Sequence, residues 1–146
     1  MKMEKSCGAV VYKIVDNKHL LYLVIKSKMG HHFTFPKGHV ENDETEVETA
    51  TREIKEETNL SVSIDTNFRM VITYSPRENV MKDVVYFVAT PVDDSLVIPQ
   101  ETEVETARWV SFPVASKRIT HENELNVLIK ANEYLRNKNF KKKYRK

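Results

Sequence analysis

Glu53, Glu56 and Glu57 are the residues whose type and spacing most readily carry chemistry, since they stand at i, i+3 and i+4. On a helix this spacing spans an arc of roughly 100°. Like charges so placed cost an isolated helix a few tenths of a kcal/mol per pair. A hard divalent cation, Mg²⁺ or Mn²⁺, reverses that sign, because such ions take carboxylate oxygens as ligands. Arg52 is adjacent to Glu53 and four residues before Glu56. Its planar guanidinium can fix the orientation of a carboxylate. Acidic helix faces are most often simply solvated. Here residues 41–57 carry eight acids against two bases, and a cation is the obvious group to offset that density.

The elements that must position these glutamates are legible. Thr45–Thr58 reads as a helix with Val47, Ala50 and Ile54 on one stripe. Thr45-x-x-Glu48 fits a capping box at its start, and Asn59 suits a left-handed C-terminal cap. Cys7–Val15 and His19–Lys26 read as two strands joined by a turn at Asp16-Asn17-Lys18. Met29–Glu44, with Gly30, Pro36 and Gly38, reads as loop. Strand-like runs follow at Ser61–Ile64, Phe68–Tyr74, Asp83–Pro91 and Thr106–Val110, with loops at Ser75–Met81 and Pro99–Glu105. His121–Asn137 reads as a second amphipathic helix with Leu125, Leu128, Ile129 and Leu135 inward, and Trp109 reads as core. The order of elements implies a mixed α/β (α+β) layered domain.

The run from Gly38 to Leu60 carries a longer pattern: Gly38, five residues, Glu44, seven residues, Arg52-Glu53-Ile54-Lys55-Glu56-Glu57, one residue, Asn59, Leu60. It resembles the Nudix box, departing only at Asn59, where that box has Gly. Asn also tolerates the left-handed backbone. The resemblance implies the Nudix fold, a mixed β-sheet sandwiched between α-helices, and hydrolysis of a nucleoside diphosphate linked to another moiety. It implies Mg²⁺ or Mn²⁺ held by Glu53, Glu56, Glu57 and the Gly38 carbonyl, with Glu44 paired to Arg52 so that the loop is held on the helix. Cations on phosphate oxygens neutralise developing charge and acidify water. Glu57 is favoured as the base, with Glu53 the alternative.

The flanking run His31-His32-Phe33-Thr34-Phe35-Pro36-Lys37-Gly38-His39-Val40-Glu41 is similar to the asymmetric bis(5′-nucleosyl)-tetraphosphatases. Cys7-Gly8, Tyr74, the run Lys82 to Tyr86, and Glu103 six residues before Trp109 extend that likeness. It implies cleavage of diadenosine tetraphosphate to ATP and AMP. Lys37 and Lys82 would be cations aimed at the tetraphosphate, or else solvated lysines. Tyr74 would stack on a purine, or else belong to the sheet. His31, His32 and His39 could contact phosphate or move protons, and His39 could instead shape the loop. Glu103 would close the metal site from outside the box, with Glu101 and Glu105 close enough to exchange roles with it. Two other readings stay open: a Nudix hydrolase acting on RNA 5′-triphosphate ends or another nucleoside polyphosphate, and a catalytically silent ligand-sensing module.

Composition sets the frame. The 146 residues are 40% hydrophobic and 30% charged, enough for one core. The apolar runs near Leu20–Ile25 and Val84–Ala89 fall far short of the ~20 residues of a membrane helix. The first residues lead into a strand-like run and not a signal peptide. One cysteine, Cys7, precludes an internal disulfide and a paired-cysteine zinc site, so a reduced, cytoplasmic setting is expected. Residues 1–135 hold all 21 acids and 16 of the 23 Lys/Arg, a balance of −5. They are expected to form a single domain, as monomer or homodimer, with a small nucleotide substrate. Residues 136–146 hold seven Lys/Arg and no acid, and are expected to be a basic, flexible tail with RNA a lesser candidate partner.

Overall fold

A computed structural model describes residues 1–140. Seven strands and three helices run in the order β1 (Lys2–Val15), β2 (His19–Ser27), β3 (Phe33–Thr34), β4 (Lys37–His39), α1 (Glu46–Thr58), β5 (Val62–Arg77), β6 (Val80–Pro91), β7 (Val104–Ser111), α2 (Phe112–Arg118), α3 (Glu122–Asn139). The sheet is mixed. Its main order is β3-β2-β1-β6-β5, with β4 pairing β1 and β7 pairing β2. The long β1 lies parallel to β6 from Lys2↔Val80 to Val11↔Ala89 and antiparallel to β2 beyond Tyr12.

Period-two alternation sorts the strand residues onto two faces, and both are covered. Cys7, Ala9, Val11, Val85, Phe87 and Ala89 pack with Ala50 and Ile54 of α1. Val10, Tyr12, Val84, Tyr86 and Val88 pack with Ala115 of α2 and Val127, Leu128, Ala131 and Leu135 of α3. This is why Ala9–Tyr12 and Val84–Ala89 read as unbroken apolar runs: a strand buried on both faces has no polar side to show. A sheet sandwiched between helices is the expected fold. Among the described residues no helix is long and apolar enough to cross a membrane.

Local chemistry sets the element ends. The Thr45 hydroxyl accepts from the Glu48 N–H at 3.1 Å, and the Glu48 carboxylate accepts from the Thr45 N–H at 2.8 Å, which is the capping box in full. Asn59 stops α1 in the left-handed region at φ 72°. Asp16 and Asn17 turn the first hairpin at φ 55° and 58°.

Several expected elements shift. Ser75–Met81 is not a loop: β5 runs through to Arg77 and β6 starts at Val80, around a tight turn where Asn79 takes φ 60°. Short strands β3 and β4 interrupt the Met29–Glu44 loop, and α2, with Pro113 in its first turn, was not expected at all. Val47 and Ile129 are exposed, while Thr49, Glu57 and Thr58 take buried places on α1. Trp109 is half-buried at the edge of the core on the α1 face of the sheet. Residues 136–139, assigned to the flexible tail, form the last turn of α3, where the Lys138 ammonium meets Asp65 at 2.9 Å. The rest of that tail, residues 141–146, lies outside the described residues.

Candidate active site

The loop and helix of the Gly38–Leu60 run close on each other because two glycines permit it. β4 crosses β1 with Cys7 opposite Gly38 and Gly8 opposite Lys37. A Cβ on Gly8 would lie 2.1 Å from the Pro36 carbonyl oxygen and 2.6 Å from the Lys37 Cβ, so only glycine lets the two strands approach. A Cβ on Gly38 would lie 1.9 Å from Glu53 Oε2. The Glu53 carboxylate therefore sits directly on the Gly38 backbone.

Arg52 clamps the loop to the helix. Its Nε and Nη2 donate to Glu44 at 2.7 and 3.0 Å, a bidentate pair, and Nη2 also donates to the His39 carbonyl at 3.0 Å. Nη1 donates to Glu53 at 2.9 Å and to Glu56 at 3.2 Å. Glu44 further accepts from the Thr49 hydroxyl at 2.9 Å and the Glu41 N–H at 3.0 Å. The Arg52 guanidinium, then these donors, hold the Glu44 carboxyl down at about 2. Glu44 stays ionised as an anchor and has no spare proton chemistry, which makes it a positioning residue.

The other carboxylates are pushed the opposite way. Burial, assisted by the nearby charges of Glu56 and Glu103, holds Glu53 above the ordinary carboxylate range against the pull of Arg52. Glu57 is 9% exposed, and its carboxylate accepts from the Lys37 N–H at 3.0 Å. Burial pushes it up to about 8, with Glu53 and Glu103 adding to the effect. Glu57 is buried with no cationic side chain paired to it among the described residues, and acids close enough to raise one another, as Glu53, Glu56, Glu57 and Glu103 are, make a donor set that a divalent cation fits. They are not already gathered: among the described residues no three such groups form a cage, and Arg52 holds Glu53 and Glu56 to itself.

Two clefts flank Lys37 and His32, which line both. One of ≈ 520 Å³ reaches Glu57 and Glu103 and extends to Lys28 and Met29. The segment that leads to Thr102 and Glu103 on its wall is tied to the end of α1, since the N–H groups of Ile98 and Gln100 donate to the Thr58 and Glu57 carbonyls. Of the three acids that could exchange roles, Glu103 faces this cleft. Glu105 is turned to Lys26 and His31 at 3.0 and 3.2 Å, and the carbonyl of Glu101 accepts from Lys28. The second cleft, of ≈ 320 Å³, is lined by Tyr74, Ile72 and Val84 from the sheet and by His121, Asn123 and Glu124 from the start of α3.

Not every expected residue converges. Lys82 stands opposite Tyr74 on the sheet but lines neither cleft; burial, with Lys37 nearby, lowers its ammonium below the ordinary value. The exposed ring of His39 stands 3.8 Å from Glu4 and also lines neither, so the loop uses the His39 carbonyl rather than its imidazole. His32 packs 5.3 Å from the His121 ring, and burial lowers its basicity. Glu124 was missed. Its one sequence signal is a carboxylate in register with Leu128, Ala131 and Leu135, the stripe that α3 buries.

The NUDIX domain family matches residues 6–131. The asymmetrical bis(5′-nucleosyl)-tetraphosphatase of Rattus norvegicus is 30% identical over 140 residues, covering 90% of this chain and 95% of that protein. The structure of a C. elegans Ap4A hydrolase binary complex superposes with a TM-score of 0.82 at 26% identity, covering 90% of this chain and 97% of that one. The NUDIX domain of Shewanella oneidensis NrtR, complexed with ADP ribose, shares the fold at a TM-score of 0.73 and 16% identity. Nudix hydrolases generally use divalent metal ions, and the mutually repelling carboxylates of half-buried Glu53 and buried Glu57 fit that habit. A match that takes in both glycines, the Arg52 clamp and both clefts leaves one assignment: the chain belongs to the Nudix hydrolase family.

Proposed function

We propose that the chain is a Mg²⁺-dependent pyrophosphohydrolase of bis(5′-nucleosyl) tetraphosphates, cleaving diadenosine tetraphosphate to ATP and AMP by attack of water on phosphorus. The observation that carries the reading is the shared wall of the two clefts. Lys37 and His32 stand between a carboxylate-lined cleft and one edged by aromatic and imidazole rings. That division suits a substrate with a nucleoside at one end and a phosphate chain running past a lysine to acidic residues. Likeness to tetraphosphatases over most of the chain supports it.

Tyr74 supplies a stacking surface, and Lys37 supplies a charge for the phosphates. Glu53, Glu56, Glu57 and Glu103 would hold the divalent cation, whose contribution when bound is to neutralise phosphate charge and acidify water. Arg52 keeps Glu53 oriented while Glu44 fixes Arg52. Glu57, buried and lining the carboxylate-edged cleft beside Lys37, is the group that takes the proton from the attacking water in this reading. Hydrolysis of diadenosine tetraphosphate in H₂¹⁸O should give ATP and AMP with the label in AMP. Two molecules of ADP would refute the asymmetric cut, and full turnover in excess EDTA would refute the cation.

A further inference from the structure

Glu124 is the buried acid that the catalytic reading leaves unused. It is 4% exposed, at the third position of α3. A glutamate there ordinarily reaches back to cap its own helix, but the start of α3 has no side-chain cap, and the Glu124 side chain turns to the sheet instead. Its Oε2 accepts two hydroxyl donors, Thr34 at 2.6 Å and Tyr86, which are themselves 3% and 0% exposed. Its Oε1 accepts from nothing among the described residues. Unlike Ser6 Oγ and Gln100 Oε1 it is not sealed off in the interior, so it opens into the smaller cleft that Glu124 lines. Two buried hydroxyls thus pin one oxygen and aim the other, with both its lone pairs free, at whatever enters between Tyr74 and His121.

We propose that Glu124 reads the nucleobase in this cleft and selects guanine over adenine; the proposal rests on the reading of the cleft as the nucleoside site. A carboxylate oxygen can only accept. Guanine offers two adjacent donors, the ring N1–H and the exocyclic N2–H₂. Hypoxanthine offers the ring N–H alone. Adenine offers its N6–H₂ group beside N1, whose lone pair opposes the carboxylate. Charge-assisted bonds of this kind, desolvated and held by a pinned acceptor, discriminate by about 10- to 100-fold. Lys37, on the wall shared with the acidic cleft, is then the lysine past which the phosphate chain leaves.

Glu124→Gln provides the sharp test. Thr34 and Tyr86 go on donating to the amide oxygen, so the amide NH₂ takes the place of Oε1 and turns an acceptor into a donor. Guanine N1–H then meets a donor, and adenine N1 gains one. The assay is kcat/KM for diguanosine, diinosine and diadenosine tetraphosphates with the wild type and Glu124→Gln at saturating Mg²⁺. The wild type should rank guanine above hypoxanthine above adenine, and Glu124→Gln should lower the guanine-to-adenine ratio by at least about tenfold. A ratio unchanged between the two proteins, or a wild type preferring adenine, overturns the proposal. Should no tetraphosphate be cleaved, the hydrolase reading fails. Equilibrium binding of GMP, IMP and AMP to the wild type then decides Glu124 by itself, and serves equally should Glu124→Gln not fold. GMP bound tighter than AMP upholds the role, and equal binding ends it.

Discussion

Replacing Glu57 by Gln should make the cation-free protein more stable at alkaline pH, with the gain disappearing in acid. The carboxyl is buried, and its one hydrogen bond, from the Lys37 N–H, survives in the amide because the acceptor is kept. Burial raises it from an ordinary 4.5 to about 8. A folded-state value above the unfolded one means that the fold favours the protonated form. The contribution is fully present below about pH 4.5 and is lost as pH climbs through about 8. At about 1.36 kcal/mol for each tenfold change in proton affinity, the ceiling is about 5 kcal/mol, and relaxation of the surroundings leaves a few. Urea unfolding in EDTA, followed by Trp109 fluorescence from pH 5 to 9, should show the wild type losing about 2–5 kcal/mol more than Glu57→Gln. Mg²⁺ added at pH 9 should restore the wild type, by about 2.7 kcal/mol at a hundred times its Kd, and leave the variant nearly unmoved. Parallel pH curves for the two proteins in EDTA would show that Glu57 is neither desolvated nor repelled, and the account of the site would fall with it.

Glu56→Gln should fold normally and lower kcat by at least ~10²-fold at saturating Mg²⁺, since on the proposed reading it removes a ligand charge from an electrostatically acting site; steady-state turnover checks this. Gly38→Ala should lower kcat by about 10²-fold with little change in Tm, because the methyl displaces the movable Glu53 carboxylate. Gly8→Ala should instead lose about 1–3 kcal/mol or more in chemical denaturation, since its methyl meets the Pro36 backbone. Arg52→Lys should cost at least ~10-fold in kcat, because a single ammonium cannot hold Glu44 by two bonds while also reaching Glu53. A normal kcat would assign the clamp to stability alone.

What the sequence made legible is the chemistry carried by short-range patterns. The capping box, the left-handed Asn59, the reach of Arg52 to Glu44 and the helical arc of glutamates are all fixed within a few residues of chain. A motif that spells out its own local geometry can be read without the rest of the fold. The errors share a different cause. Val47 and Ile129 were placed inward because they are apolar and near a stripe, yet the sheet decides which arc of each helix it covers. On α1 that arc runs through Thr49, Ala50, Ile54, Glu57 and Thr58; on α3 it runs through Glu124, Leu128, Ala131 and Leu135. In both helices the true buried stripe contains a glutamate, and a search for apolar periodicity discards glutamates by construction. Desolvating a carboxylate is costly unless donors or a ligand compensate. A glutamate in register with a core stripe is therefore itself a signal of a site. It singles out Glu57 beneath the acidic cleft and Glu124 beneath the other, and only the folded sheet shows that the same lysine, Lys37, stands between them.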